Sequence, residues 1–273
     1  MWKSVDSVDL PGRTCSEDRF GTSGPLAWIL DGASTVAPGA SVTGATTDAI
    51  WIVEHIDSQL RSLCDDPRPL RELVTEALAN LARAADDEWL TTPEVPPSAA
   101  LGVVRHAGDH VEFLVLADVS VILRAEPGAQ WFIDRRVDEH NRPAAEAMGE
   151  ALRDPAVSFD EAIERTRPYL ARPRRLAMNQ PDGYWVASTD PTAAAHALTG
   201  ALRDVDEVVL ASDGFMRGLD LFGLVPDPDA LFDCDFGELA AAIRRVEHGP
   251  RSREFPRWSI SDDICAHRLR WVD

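Results

Sequence analysis

Lysine is almost missing from the sequence: Lys3 is the only one. A Gly-x-x-x-x-Gly-Lys phosphate loop and a Schiff-base lysine are therefore not expected. The four cysteines, Cys15, Cys64, Cys234 and Cys265, lie far apart and form no Cys-x-x-Cys pair. That argues against a disulfide framework or a thiolate zinc site, and it suits a reducing, cytoplasmic setting. No apolar run approaches the roughly 18 residues of a membrane span, and Met1-Trp2-Lys3-Ser4-Val5-Asp6 does not begin a signal peptide. There is no His-Glu-x-x-His and no Gly-x-Gly-x-x-Gly, and Gly21-Thr22-Ser23-Gly24 lacks the spacing of a nucleophile elbow. Positive charge is scarce overall: 27 Lys and Arg stand against 46 Asp and Glu, a net charge of −19. Nucleic acid and anionic membranes are held by clustered cations, so neither is an expected partner.

What is present is enough apolar material for a sizeable core. The 273 residues are 45% hydrophobic, and one domain over residues 1–273 is expected. Residues 26–30 form a short apolar run ending at Asp31-Gly32, which predicts a buried strand feeding a turn. Ile52, Ile56, Leu60 and Leu63, then Leu70, Leu73, Val74, Ala77, Leu78, Leu81 and Trp89, repeat at helical spacing. Residues 101–104, 111–116 and 119–123 are β-rich, with Ala107-Gly108-Asp109 as a hairpin turn and 131–133 as a further short strand. Helix is expected over 142–172 and 239–246, and strands over 184–187, 207–211 and 264–271. The order predicts an α+β fold with helices packed on mainly antiparallel sheets.

The informative feature is where carboxylates fall. Apolar runs lead into Asp31-Gly32 and into Ser212-Asp213-Gly214, while Asp262-Asp263 immediately precedes the last strand. Glu17-Asp18 lies ahead of the first buried run, and Asp118 interrupts an apolar hairpin. Asp-Gly alone is a common turn dipeptide. Several strand-end carboxylates together are another matter. If they converge, their repulsion requires cations or protons, and oxygen-only ligands suit hard ions such as Mg or Mn. A glycine after Asp31 would let a backbone carbonyl reach the same ion.

The ordered series Glu17-Asp18-Arg19-Phe20, Trp28-Ile29-Leu30-Asp31-Gly32, Ser212-Asp213-Gly214-Phe215 and Asp262-Asp263-Ile264 resembles that of the metal-dependent protein phosphatases, the protein phosphatase 2C-like family. Ala117-Asp118-Val119 matches the position of that family's Gly-Asp-Ser hairpin. The resemblance implies a four-layer α-β-β-α sandwich, two mainly antiparallel sheets flanked by helices, with the metal cleft at one end. It implies two Mg or Mn ions, bridged by Asp31, with the Gly32 carbonyl on one and Asp213 and Asp262 completing the other. Asp18, with Glu17, would hold metal-bound waters, Asp118 a third, weaker ion, and Asp263 stands as a weaker candidate beside Asp262. Arg13 would clamp the phosphate, making Arg13, Asp31 and Asp213 the catalytic set. The implied activity is hydrolysis of phosphoserine or phosphothreonine in a protein or peptide, by a cytoplasmic, monomeric, bacterial-type enzyme using a metal-bound water as nucleophile.

The sequence also departs from the family pattern. Ala33-Ser34-Thr35 replaces a bulky residue and a Gly-Gly pair, Ala117 and Val119 replace Gly and Ser, and Arg217 stands where an aspartate or similar polar residue is common. These departures motivate two alternatives: a weak or inactive pseudophosphatase serving as a regulatory binding module, and a hydrolase of a small phosphoester. The histidines are expected in surface or packing roles. Arg172, Arg174 and Arg175 are expected at a solvated helix end.

Overall fold

The structure is a computed structural model that describes residues 1–33 and 41–272. Its strands are β1 (Trp2–Leu10), β2 (Asp18–Ser23), β3 (Leu26–Ala33), β4 (Ser98–Ala107), β5 (His110–Leu116), β6 (Ser120–Arg124), β7 (Gln130–Phe132), β8 (Leu198–Arg203), β9 (Glu207–Ala211) and β10 (Ile264–Trp271). Its α-helices are α1 (Asp48–Ser62), α2 (Leu70–Glu88), α3 (Arg136–Arg153), α4 (Phe159–Leu176), α5 (Asp213–Asp220) and α6 (Phe236–Glu247). One sheet runs β1-β10-β9-β6-β7 and the other β2-β3-β4-β5-β8, with every strand pairing antiparallel.

The expected four-layer sandwich is what forms, and the strand sequences say why. The central strands are buried on both faces, so they read as apolar runs. Ala27 and Ile29 of β3 pack inward against Val208 and Leu210 of β9 and Cys265 and Leu269 of β10, forming the core between the sheets. The alternate residues Leu26, Trp28 and Leu30 face outward and are covered by α1 and α2 through Ile52, Ile56, Leu73 and Leu78. On the opposite side Val209, Ala211, Ile264 and Ala266 are covered by α5 and α6 through Phe215, Phe236 and Ile243. Period-two alternation thus splits each strand between two cores.

Several expectations change in detail. The helical stretch at 142–172 is two helices, α3 and α4, which build a small core of their own from Met148, Leu152, Val157 and Ala162 with Trp258 packed against it. Residues 184–187 form only isolated bridges, Tyr184 to Met178 and Ala187 to Ala99. Asp31-Gly32 is not a turn: β3 continues through it, pairing Asp31 with Ala100 and Gly32 with Ala99. Asp213-Gly214 is not a turn either, but the first two residues of α5. Ser34 and Thr35 of the departing Ala33-Ser34-Thr35 segment lie outside the described residues. Among the described residues, no helix is long and apolar enough to cross a membrane.

Candidate active site

Strand register gathers the carboxylates. Asp18 opens β2 opposite Asp31 of β3, and Asp31 is opposite Ala100 of β4. Leu101 pairs with Leu116, so the turn after β5 carries Asp118 toward the same end. In the other sheet, Ala211 pairs with both Ser120 and Ala266. Asp213, just beyond β9, therefore lies beside the residues that precede β10, Asp262 and Asp263. Two glycines allow the closest approaches. A Cβ on Gly32 would stand 2.5 Å from the Glu17 carbonyl oxygen, and one on Gly214 would stand 2.0 Å from that of Asp263. Each Asp-Gly pair owes its glycine to a crossing chain rather than to a turn.

The sites meet electrostatically. Asp18 is buried, its Oδ2 has no hydrogen-bond partner, and burial, then Asp263, holds its carboxyl well above the usual range. Asp31 is raised in the same way, by burial first and then by Asp18 and Asp213. The Asp213 carboxyl is pushed up to about 8 by burial and by Asp262, and Asp118 to about 6 by burial and by Asp138 of α3. The backbone N–H of Asp213 donates a long bond, 3.4 Å, to Asp31 Oδ2. Among the described residues, no three His, Cys, Asp or Glu side chains are drawn together as a ready-made metal cage. The donor chemistry nevertheless fits a hard divalent cation at Asp18, Asp31 and Asp213: oxygen-only ligands, mutual repulsion and one buried oxygen without a partner.

The remaining expected residues fall into different roles. Arg13 is exposed on the loop before β2 and lines a recess of about 550 Å³ whose floor includes Asp31, Asp118, Asp213 and Asp262. It also borders a second recess of about 370 Å³, lined by Glu17, Asp18 and Gly32. Asp263 accepts the Gly12 and Glu17 N–H groups at 2.7 and 2.6 Å, one on each oxygen. Both of its oxygens are thus taken by the loop that carries Arg13, which makes Asp263 a latch. Asp262 Oδ2 accepts from Arg217 Nη2 at 2.5 Å and from Ser259 Oγ at 2.9 Å. Ala117, just before Asp118, has a left-handed backbone with φ 62°. That conformation costs a non-glycine residue about 1–2 kcal/mol.

Two arginines were not picked out as site residues by sequence. Arg217 lies four residues after Asp213 on α5, hence on the same helical face. Arg174 does not sit at a solvated helix end as expected. It is half-buried and lines the larger recess with Tyr184, while Arg172 and Arg175 are exposed. Burial lowers the Arg174 pKa, opposed by Tyr184, Asp118 and Asp31. The far wall of that recess is supplied by α3 and α4 through Asp138, Asn141, Arg167 and Arg174.

A model of the family described as "Protein phosphatase 2C" matches residues 12–246. The chain belongs to the protein phosphatase 2C family. The match takes in Arg13, Asp18, Asp31, Asp118 and Asp213, and it ends before Asp262. Among solved structures, the chain is similar to the serine/threonine phosphatase Stp1 from Staphylococcus aureus, at 12% identity and TM-score 0.55, covering 100% of this chain and 94% of that one. It is similar to the Mycobacterium tuberculosis serine/threonine phosphatase PstP/Ppp at 14% identity and TM-score 0.57, covering 100% and 99%. A catalytic domain of serine threonine protein phosphatase PstP in complex with 2 manganese ions aligns at 13% identity and TM-score 0.52, covering 100% and 98%. At these identities the likeness establishes the fold. No curated protein matches the sequence.

Proposed function

We propose that the chain is a metal-dependent serine/threonine protein phosphatase that hydrolyses phosphomonoesters, acting as one domain and as a monomer in the cytoplasm. The observation that carries this reading is the set of mutually repelling carboxylates Asp18, Asp31 and Asp213: Asp31 and Asp213 line the recess bordered by Arg13 and Arg174, and Asp18 lines the adjoining recess with Asp31 and Arg13. Asp18, Asp31, Asp213 and the Gly32 carbonyl would hold the cation, with Glu17 and Asp118 at the margins. The chemistry that Mg²⁺ or Mn²⁺ supplies in such a site is charge on the phosphoryl oxygens and a lowered pKa for water. The protein's own cations do the rest. Arg13, at the rim, presents a planar fork suited to two phosphate oxygens, and Arg174 adds positive charge from the opposite wall. They supply the local attraction that a chain of net charge −19 would otherwise deny an anionic substrate. The solved neighbours described as serine/threonine phosphatases support a phosphoprotein substrate.

One observation favours the second reading, a catalytically weak binding module: Asp262 is already neutralised by Arg217. The two readings separate in one assay. Phosphate release from phosphoserine and phosphothreonine peptides, with small phosphoesters alongside, is measured in Mn²⁺ and in chelator. The phosphatase reading expects metal-dependent turnover of the peptides. Bound Mn²⁺ with no turnover of any phosphoester would refute it and leave the binding module.

A further inference from the structure

We propose that Arg217 is a built-in cation standing where a second metal ion would otherwise sit, so that this site takes up one divalent ion tightly, on the Asp31–Gly32 side. The inference rests on the metal-dependent reading above and concerns only how many ions the chain holds and which carboxylates hold them.

Asp213 and Arg217 are four residues apart on α5, so the helix that presents a carboxylate to the cluster presents a guanidinium on the same face. The Arg217 side chain is only 7% exposed. Its Nη2 lies 2.5 Å from Asp262 Oδ2, and its Nη1 lies 2.7 Å from Glu247 Oε1. Glu247 is fully buried, and its other oxygen accepts from Arg244 Nη1 at 2.7 Å. Arg244 also donates to the Asp262 carbonyl at 2.6 Å, which fixes the backbone of the same residue. Arg257 donates to the Glu247 and Ile260 carbonyls at 3.0 Å each, holding the segment that leads into Asp262.

The consequence is a charge balance inside the protein. Two carboxylates, Asp262 and Glu247, are matched by two guanidiniums, Arg217 and Arg244. Asp262 Oδ2 has two donors already, Arg217 and the Ser259 hydroxyl. An ion approaching that oxygen would meet a fixed positive charge in contact with it. Arg217 cannot swing aside without weakening the pairing of a carboxylate that has no access to water. The contrast with Asp18 is direct, because there a buried oxygen has no donor at all. Cation capacity is therefore left at Asp18, Asp31, Gly32 and Asp213, and reduced at Asp262, where Oδ2 is held by Arg217 and Ser259 and Oδ1 accepts the Asp263 N–H at 3.3 Å.

The test is a Mn²⁺ titration of the full chain, followed by the electron paramagnetic resonance signal of free Mn²⁺ and by calorimetry, neither of which reads turnover. Wild-type protein should bind one ion tightly. Asp262→Asn should leave that stoichiometry and shift Kd by less than about 10-fold, where loss of even a supporting partner of a true ligand costs about 10- to 100-fold. The charge-neutral pair Arg217→Gln with Glu247→Gln should gain a second ion, and adding Asp262→Asn should remove it. Circular dichroism and thermal melts report whether the double variant folds; if it does not, Asp262→Asn in the wild-type background still decides. Two tight ions in the wild type, one of them lost in Asp262→Asn, would overturn the inference and leave the phosphatase reading standing. No Mn²⁺ uptake at all would sink both.

Discussion

Asp18 and Asp262 lie at the same end of the sandwich, one at the start of β2 and the other just before β10, yet their surroundings are opposites. Asp18 is buried with an oxygen that has no partner and like charges around it. Asp262 is held by Arg217 and Ser259, inside a network in which Glu247, Arg244 and Arg257 satisfy one another. A buried charge without a partner costs free energy, and a fold keeps one where something else will supply the partner. Asp262, partly exposed at the recess, already has its partners in Arg217 and Ser259. On the proposed reading, the Asp18–Asp31–Asp213 region would bind the cation, while the Asp262–Arg217–Glu247 network holds that end of the molecule together.

Substitutions on the two sides should separate cleanly. The largest effect is expected on the uncompensated side. Asp31→Asn should lower metal-dependent kcat/KM by more than about 100-fold, beyond the range typical of a supporting residue. The melting temperature in chelator should hold or rise, because a carboxyl whose ionised form is opposed by burial and by its neighbours has gone. Activity within tenfold of wild type would contradict a cation-holding role for Asp31. On the compensated side, Arg217→Ala should cost about 3 kcal/mol in urea unfolding, the low end for breaking a buried pair, since Arg244 remains on Glu247. A variant as stable as wild type would show that the network is not structural.

A pH titration sharpens the same contrast. Burial and Asp262 push the Asp213 carboxyl up to about 8, and burial and Asp138 push Asp118 to about 6. The folded protein thus holds these protons more tightly than the unfolded chain, whose carboxyls titrate near about 4. The stability this provides is complete below that value and is lost as pH rises toward about 8. The chelated protein should therefore melt at a lower temperature at pH 8.5 than at pH 5.5, and Mn²⁺ should recover most of the difference. A chelated protein equally stable at both would mean that burial and repulsion do not raise these carboxyls. The smallest effect is expected at the rim: Arg13→Ala should reduce kcat/KM by about tenfold, the worth of a charge-assisted hydrogen bond, while leaving unfolding unchanged. An unchanged kcat/KM would remove Arg13 from phosphate recognition.

Much of this was readable from the sequence, and what was not has physical causes. β9 and β10 are legible with the right bounds because each carries a buried apolar run, residues 208–211 in β9 and 264–266 in β10, although β10 goes on through His267, Arg268 and Arg270. β8 escapes notice because it is an edge strand with five exposed residues and no alternating pattern. β2 escapes because Arg19, Gly21, Thr22 and Ser23 look like a loop until β3 pairs with them. Asp31 and Asp213 stand out as carboxylates ending apolar runs, although the glycines beside them serve chain crossings that no turn rule describes. Arg217 carries two signals, its four-residue distance from Asp213 and its place where the family commonly has an aspartate or similar polar residue, but its partners Asp262 and Glu247 lie 45 and 30 residues away. Arg174 carries none, since only the folding of α4 over the recess distinguishes it from exposed Arg172 and Arg175.

The most direct test of the account is anomalous diffraction at the manganese absorption edge from crystals grown or soaked in Mn²⁺. A manganese peak bounded by the Asp31 and Asp213 carboxylates and the Gly32 carbonyl is expected. Well-diffracting crystals with no peak there, or with Mn²⁺ bound elsewhere, would contradict it.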